Sequence, residues 1–219
     1  APEMGLSDGH SSWSSAWGDF DNDGDMDVLV GSSGRPTSKL MRNDGNTFTS
    51  VLAGSGFDTF TGTNIEWTTH DFNNDGYLDI LGGGAIMYGN GAMFFTPDFT
   101  APGNGPIGDI NSDGFLDIIG WSGAFVNDGN DNNWLKVYTV GTTSNKNGIG
   151  ARVKITSALG SQIRDVKSGD AFSTMSSLNT HFGLGQNTVV DELEITWPSG
   201  IVTTLNDVPV NTTVMVVEG

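Results

Sequence analysis

The stretch Asp19-Phe20-Asp21-Asn22-Asp23-Gly24-Asp25-Met26-Asp27 decides the fold, because its pattern recurs twice more in the chain. The second copy runs from Asp71 to Asp79 and the third from Asp109 to Asp117, and all three align without gaps. We name them the first, second and third loops and number their positions 1 to 9. Aspartate stands at positions 1, 5 and 9, aspartate or asparagine at 3, glycine at 6, and an apolar residue at 2 and 8.

A second turn signal follows each loop and completes a repeating unit. These signals are Asn43-Asp44-Gly45, Gly89-Asn90-Gly91 and Asn127-Asp128-Gly129. Such turns between strand-forming residues are typical of β-hairpins. The loops begin 52 and then 38 residues apart, which is a spacing typical of propeller blades. We therefore predict three propeller-type blades, each made of a strand, a loop, a strand, a hairpin and a strand.

The repeat ends near Asn133, where a different pattern of strands begins. The turn Trp197-Pro198-Ser199-Gly200 separates two of these strands, because proline and glycine end a ladder. Strands are predicted at 134–140, 149–156, 189–197, 201–205 and 213–217. The predicted fold is all-β: an open or partial β-propeller of three blades in residues 1–132, followed by a β-sandwich-like domain in residues 133–219.

The composition of the three loops indicates calcium binding. Calcium takes six to eight oxygen ligands in flexible geometry. Carboxylates or amides at positions 1, 3, 5 and 9 with a backbone carbonyl at position 7 can surround one ion, and glycine at position 6 lets the chain reverse. We therefore predict about three calcium ions. The predicted ligands are Asp19, Asp21, Asp23, Asp25 and Asp27; Asp71, Asn73, Asp75, Tyr77 and Asp79; and Asp109, Asn111, Asp113, Phe115 and Asp117.

Two other interpretations of the loops compete with this one. An EF-hand begins with a similar pattern, but it needs a glutamate at position 12 and flanking helices. Position 12 is here Val30, Gly82 and Gly120. A tight turn with solvated aspartates explains one loop more readily than three of identical pattern. Because ligand charge raises calcium affinity, the first loop is predicted to bind most tightly, since it has four side-chain carboxylate ligands and an extra Asp25, whereas each of the others has three carboxylates and an asparagine.

The charge and cysteine content exclude several functions. The formal net charge of −17, from 26 acidic and 9 basic residues, disfavours nucleic acid and anionic membrane surfaces as partners. No apolar run is long enough for a membrane span, so membrane insertion is not predicted. The chain has no cysteine, which excludes disulfides, thiolate metal sites and cysteine nucleophiles.

Both halves of the chain resemble known families. The loops resemble the calcium-binding FG-GAP or VCBS repeat of integrin α-chain propellers and bacterial surface proteins. The remainder resembles the ASPIC/UnbV domain through Asn133-Trp134-Leu135-Lys136-Val137, Asn147-Gly148-Ile149-Gly150-Ala151-Arg152-Val153, His181-Phe182-Gly183-Leu184-Gly185 and Trp197-Pro198-Ser199-Gly200. The resemblance implies a secreted, extracellular or cell-surface protein that is stabilised by calcium, is not an enzyme, and serves as a structural protein in cell adhesion or surface assembly, such as a fibril.

The number of blades departs from the pattern of closed propellers. Closed propellers have four to eight blades, so three would leave sheet edges that invite pairing with another chain. The C-terminal domain covers these edges, or the chain is a fragment, or the edges serve in assembly. The expected partners are copies of this chain, which could form a filament or ring, or another surface protein.

An enzyme is disfavoured by the histidines and by the motifs. His70 is expected to pack beside the second loop, and His181 is expected in a structural turn; His10 belongs to no catalytic pattern. Aspartates that bind calcium are also poor proton donors, so the loops do not indicate a pair of catalytic acids.

The main alternative function is a glycan-binding, lectin-like module that would use exposed tryptophans, and a hydrolase accessory domain is a weaker alternative. Against the lectin, Trp17, Trp67 and Trp121 lie beside the repeat motif and are expected to pack in the core.

Overall fold

Strands account for all the regular structure that is described. The computed structural model describes residues 4–6, 13–31, 38–63, 65–100, 103–120 and 122–219. None of these residues belongs to a helix that could cross a membrane. The strands are β1 (Ser15–Gly18), β2 (Asp27–Val30), β3 (Lys39–Asn43), β4 (Phe48–Ser50), β5 (Thr68–His70), β6 (Asp79–Gly82), β7 (Ala85–Gly89), β8 (Phe95–Asp98), β9 (Ile107–Gly108), β10 (Asp117–Gly120), β11 (Gly123–Phe125), β12 (Asn133–Val140), β13 (Arg152–Ser157), β14 (Gly160–Asp165), β15 (Thr180–Gly185), β16 (Val189–Thr196), β17 (Val202–Pro209) and β18 (Thr212–Val217).

These strands form five sheets of three or four strands each. The first two sheets, β1–β4 and β5–β8, are antiparallel meanders in which each strand pairs with the next. The third, β9–β11, is a shorter meander. Each loop connects the first strand of its sheet to the second. The prediction of an all-β, propeller-type fold is confirmed. Three blades were predicted, and five sheets have the size of a blade.

The predicted hairpins form in two of the three units. The turn at 43–45 joins β3 to β4, and the turn at 89–91 joins β7 to β8. The turn at 127–129 instead leads to β12, which pairs with β15 and β18 rather than with β11. The prediction of a complete third unit is therefore wrong, because the strand after that turn is used by the fourth sheet.

The two C-terminal sheets share one hydrophobic core. Their strand orders are β15-β12-β18, with β12 and β18 parallel, and β14-β13-β16-β17, which is antiparallel throughout. One cluster of buried side chains joins them, including Val137 from β12, Leu193 from β16 and Trp197. The sequence prediction missed β14 and β15. His181, expected in a turn, lies within β15, where it is only 8% exposed.

Trp67 packs between the first two sheets. Its side chain is fully buried, as predicted. A Cβ atom added to Gly31 or to Gly82 would lie 2.2 Å from the Trp67 ring, so glycine at both positions makes room for the indole. Trp17 was expected in the core as well, but this prediction is wrong, because its side chain is 39% exposed. Trp121 lies outside the described residues.

The C-terminal half also covers one free edge of the repeat sheets. β9 is an end strand of the third sheet, because it pairs only with β10 in that sheet. Its Ile107 carbonyl accepts the backbone N–H of Ser177 at 2.9 Å, and the N–H of Ile107 donates to Ser176 Oγ at 3.2 Å. Three outcomes were open for the exposed edges. For β9 the outcome is that the C-terminal half covers the edge.

Candidate functional site

The carboxylate at position 1 holds each loop in its turn. Asp19 accepts the N–H of Asp23 and of Gly24, both at 3.0 Å, and Asp109 accepts the equivalent pair in the third loop. In the second loop Asp71 accepts the N–H of Gly76 at 2.9 Å. The glycine at position 6 has a φ between +91° and +98° in all three loops, a conformation that favours glycine.

The carboxylate at position 9 ties each loop to the second turn of its unit. It is fully buried in all three loops. One oxygen accepts the N–H of position 2 and the other accepts an N–H at the second turn, at 2.8–2.9 Å. The donors are Phe20 and Asn43 for Asp27, Phe72 and Gly89 for Asp79, and Ile110 and Asn127 for Asp117. The two turn signals of each unit are thus one hydrogen-bonded structure.

Positions 3 and 5 separate the first loop from the other two. Asn73 donates its amide to Asp75 at 3.0 Å, and Asn111 donates its amide to Asp113 at 2.7 Å. The first loop has Asp21 at position 3, which cannot donate when ionised. Oδ1 of Asp21 is buried without a partner among the described residues. At position 3, the first loop therefore has a carboxylate oxygen without a hydrogen-bond donor, whereas the asparagines of the other two loops bond within their own loops.

Oxygen atoms of Asp19, Asp21 and Asp27 lie within 4.8 Å of one another, and among the described residues this is the one such group of three or more histidine, aspartate or glutamate side chains. Burial raises the pKa of Asp19 to about 6 and that of Asp27 to about 7. Burial and the charge of Asp23 also raise the pKa of Asp21. Because burial disfavours the charged form of all three carboxylates, a positive charge among them would compensate this cost, and their oxygen atoms fit a hard cation.

The second and third loops differ in how their charges are compensated. Burial raises the pKa of Asp71 to about 7, and its Oδ1 is buried without a partner among the described residues. In the third loop Lys136 Nζ lies 2.5 Å from Asp109 Oδ2. Burial opposes a lower pKa for Asp109, but the hydrogen bonds from Lys136 and Gly114 still lower it. The third loop thus already holds a cation, supplied by β12.

The exposure of the remaining predicted ligands varies. Asp23, Asp25, Asn111 and Asp113 are exposed, whereas Phe115 is buried. The N–H of position 7 donates to the position 5 carboxylate at 2.9 Å in every loop. Position 2 is apolar in all three loops, but only Phe20 and Phe72 are buried there, and Ile110 is 48% exposed. The assignment of the fifteen residues as ligands stays a prediction.

Position 4 links successive loops. Asn22 Nδ2 donates to the carbonyl oxygen of Gly76, and Asn74 Nδ2 donates to the carbonyl oxygen of Gly114, both at 3.1 Å. Both asparagines have a φ of 56°, which asparagine tolerates better than most residues. His181 Nε2 lies 3.0 Å from the same Gly114 oxygen. Because burial lowers the pKa of His181 to about 4, the ring is neutral and Nε2 is the donor.

The C-terminal half packs directly on the second and third loops. A Cβ atom at Gly76 would lie 2.6 Å from Leu159, and one at Gly114 would lie 1.8 Å from the indole nitrogen of Trp134. Gly183 of β15 faces the second loop, since its Cβ would lie 2.1 Å from Asp71 Oδ2. Gly24 has no neighbour within 4 Å of an added Cβ. The first loop is therefore the open one.

Family models match both regions of the chain. Residues 19–82 match the FG-GAP-like repeat, and residues 141–219 match ASPIC and UnbV. The chain therefore carries an FG-GAP-like repeat region and a C-terminal ASPIC/UnbV domain. None of the curated proteins compared with it matches. The repeat match includes the first and second loops of this FG-GAP-like repeat region, and the third loop lies between the two matched regions. The resemblance drawn from the sequence is confirmed.

Sequence reasoning missed two parts of this site. Lys136 belongs to the Asn133-Trp134-Leu135-Lys136-Val137 motif of the C-terminal domain. No local signal connects it with Asp109, 27 residues away in the chain. The asparagines at position 4 fell on an unrestricted position of the pattern. Position 4 is asparagine in the first two loops and serine in the third. This difference was a signal of the link between loops, because only the first two loops have a following loop to bond.

Proposed function

We propose that this protein is a secreted or cell-surface structural and binding protein, that calcium stabilises its repeats, and that it is not an enzyme. FG-GAP repeats and a propeller-type fold fit a structural or binding protein. The observation that carries the calcium proposal is the cluster of Asp19, Asp21 and Asp27, in which Asp21 Oδ1 is buried without a partner among the described residues. Calcium would supply the missing positive charge there.

The loops support an order of calcium affinity. The first loop has the most carboxylates, the unsatisfied oxygen and an open surface, so it should bind most tightly. The second has an unsatisfied oxygen on Asp71, but its asparagine already bonds Asp75. The third holds the ammonium of Lys136 against Asp109. A calcium ion in the third loop must compete with this ammonium, so it should bind last.

Titration calorimetry tests the calcium proposal. In calcium-free buffer we expect Asp21→Asn to weaken the tightest calcium site by about tenfold, because a ligand charge is removed and the new amide can bond Asp23 as Asn73 bonds Asp75. Asp25→Asn is the matched control, since Asp25 is exposed and is predicted to act only through its carbonyl. Equal effects of the two substitutions, or no calcium binding by the wild type, would sink the proposal.

The finer architecture that we propose is three blades, β1–β11, followed by a β-sandwich, β12–β18. The support is the single hydrophobic cluster shared by the last two sheets. β18 is an end strand of its sheet. Next to that edge, the described side chains of Tyr138, Met215 and Val217 are 43%, 69% and 53% exposed. An apolar stripe beside an unpaired edge favours pairing with another chain, and we propose a further copy of this protein.

Light scattering and electron microscopy test the assembly. We expect concentration-dependent oligomers with calcium, fewer oligomers with a chelator, and loss of assembly in Met215→Asp with an unchanged thermal midpoint. Asp191→Asn, on the exposed surface of β16, is the control. A wild type that stays monomeric at high concentration with calcium present would contradict the assembly proposal, and it would leave the calcium proposal untouched.

The proposal of a non-catalytic protein rests on how the histidines and acids are used. His181 is committed to the Gly114 carbonyl, and burial lowers the pKa of both His70 and His181 to about 4. The buried aspartates bond backbone N–H groups of their own loops. An activity screen of purified protein against glycoside, ester and peptide substrates tests this, and turnover abolished by His70→Ala would overturn it.

Glycan binding is the second candidate, and one described aromatic pair favours it. Trp13 and Phe172 are 59% and 53% exposed, and their ring centroids lie 5.6 Å apart. Exposed tryptophan suits stacking on sugar rings. A glycan array probed with the wild type and Trp13→Ala tests this function, and equal signals from the two proteins would remove it.

A further inference from the structure

We propose that the cavity lined by Arg164, Lys167, Thr69, Thr180 and His181 binds a small oxyanion. The cavity has a volume of about 70 Å³, which exceeds the space needed for one water molecule. It lies where β5 of the second sheet, β14 and β15 of the C-terminal half and the segment at 177–179 meet. It is separate from the first-loop calcium site, none of whose acidic residues lines it.

Arg164 lines this cavity and has unused hydrogen-bond donors. Its guanidinium donates to the Ile163 carbonyl at 2.8 Å and to Gln162 Oε1 at 3.2 Å. A guanidinium has five N–H donors, so three remain without an acceptor among the described residues. The ring of Phe182 lies 5.2 Å from the guanidinium carbon and holds it in place. A planar group with free parallel donors is suited to binding an oxyanion.

The two cations of the cavity make no direct ion pair with a described acid, although the charges of Asp71, Asp19 and Asp79 act on Arg164 from a longer distance. Within the described part of the chain, neither Arg164 nor Lys167 has a carboxylate within ion-pair distance. Two acids also line the cavity. Asp165 is already paired with Arg152 at 2.8 Å, and Asp170 lies 3.8 Å from His70 Nε2. The only two basic side chains that line it, out of 9 in this acidic chain, are therefore unpaired.

Buried neutral groups in the cavity wall also lack partners. Thr180 is 5% exposed, and its Oγ1 has no partner in the described residues. Thr69 Oγ1 is likewise buried and unpartnered. An unsatisfied buried hydroxyl is costly, and two of them in one cavity wall indicate that a polar group belongs there. Hydroxyl groups beside two cations complete the donor set of an oxyanion site.

Titration of the full chain with inorganic phosphate and with acetate, in buffer free of other oxyanions, tests the inference. These probes carry the same chemistry from two sources, a free inorganic anion and an organic carboxylate. We expect saturable binding of at least one by calorimetry and a matching rise in thermal midpoint. Tighter phosphate binding would identify an inorganic anion, and tighter acetate binding would identify the carboxylate of an organic acid.

Three substitutions distinguish this site from surface binding. Lys167→Gln should weaken binding at least about tenfold, because it removes one charged donor. Asp170→Asn should strengthen binding by a few-fold, because it removes a negative charge from the wall; a purely structural role would not produce opposite changes. Arg42→Gln, on an exposed residue paired with Asp44, should leave binding unchanged. No saturable binding of either probe, or an equal response of all three variants, would overturn the inference.

Discussion

Asn22 of the first loop donates a hydrogen bond from Nδ2 to the carbonyl oxygen of Gly76 in the second loop, across 54 residues of chain and 3.1 Å of space. Asn74 repeats this bond toward Gly114 of the third loop. The three loops are thus connected in series rather than held independently by their own sheets. These two hydrogen bonds are a direct route by which a change in one loop reaches the next.

Asn74 should be more sensitive to alanine than to glycine. Asn74→Gly loses one hydrogen bond but keeps the φ of 56°, and should lower the free energy of unfolding by about 1 kcal/mol. Asn74→Ala also has to adopt this left-handed conformation, and should cost about 2 kcal/mol. Chemical denaturation of both variants in a chelator measures the difference. Equal costs would mean that the backbone conformation carries no strain for alanine.

Lys136 should act as the cation of the third loop. Lys136→Met leaves Asp109 buried without its partner, and should lower the free energy of unfolding in a chelator by about 3 kcal/mol. Excess calcium should recover part of this loss, because the ion can replace the ammonium. Lys146→Met, at an exposed position, is the control. A deficit that is identical with and without calcium would show that the third loop binds no ion even when Lys136 is absent.

The parts of this fold that could be predicted are those that depend on residues close together in the sequence. Nine-residue spacing is enough to define the loops, and Asn43-Asp44-Gly45 is enough to place a hairpin, because both depend on neighbouring residues. β15 could not be predicted, because its Gly-rich run has low strand propensity and becomes a strand only by pairing with β12. The ammonium of Lys136 in the third loop likewise depends on packing between distant segments.

The exposure of Trp17 shows a second limit of the sequence pattern. Trp17 and Trp67 are both close to a loop, yet only Trp67 meets glycines on two sheets, Gly31 and Gly82, which leave space for an indole. Trp17 lies on β1, where alternation places its side chain on the opposite face from the buried Ala16. Alternation follows from strand geometry, but the residues Ser15–Gly18 do not indicate which face is buried.

Gly183 should be essential for the contact between β15 and the second loop. An added Cβ would lie 2.1 Å from Asp71 Oδ2 and 2.4 Å from the Asn74 Cα, and the backbone of the loop cannot move aside easily. Gly183→Ala should therefore lower the free energy of unfolding by about 3 kcal/mol. Gly103→Ala is the matched control, because nothing lies within 4 Å of its Cβ. Thermal unfolding of both variants measures the effect, and equal midpoints would contradict the packing of β15 on the loop.

The Glu218 carboxylate organises the turn after β12. It accepts the N–H groups of Thr142, Thr143 and Ser144, each at 2.7 Å, and the hydroxyls of Ser144 and Ser199. Burial alone would raise the pKa of Glu218, but the hydrogen bonds from Ser199, Ser144 and the backbone lower it from its usual 4.5 to about 2. The folded state thus favours the ionised carboxylate.

The stability that Glu218 contributes should therefore depend on pH in one direction. A carboxyl with a lowered folded-state pKa stabilises the fold above its unfolded pKa, and this contribution is lost as the pH falls from about 4.5 to about 2. Glu218→Gln should lower the thermal midpoint at pH 7, and the gap between it and the wild type should close across that window. Asp191→Asn, on an exposed residue, should show no such gap. A gap that stays constant down to pH 2 would show that Glu218 acts through its shape and neutral hydrogen bonds, not through its charge.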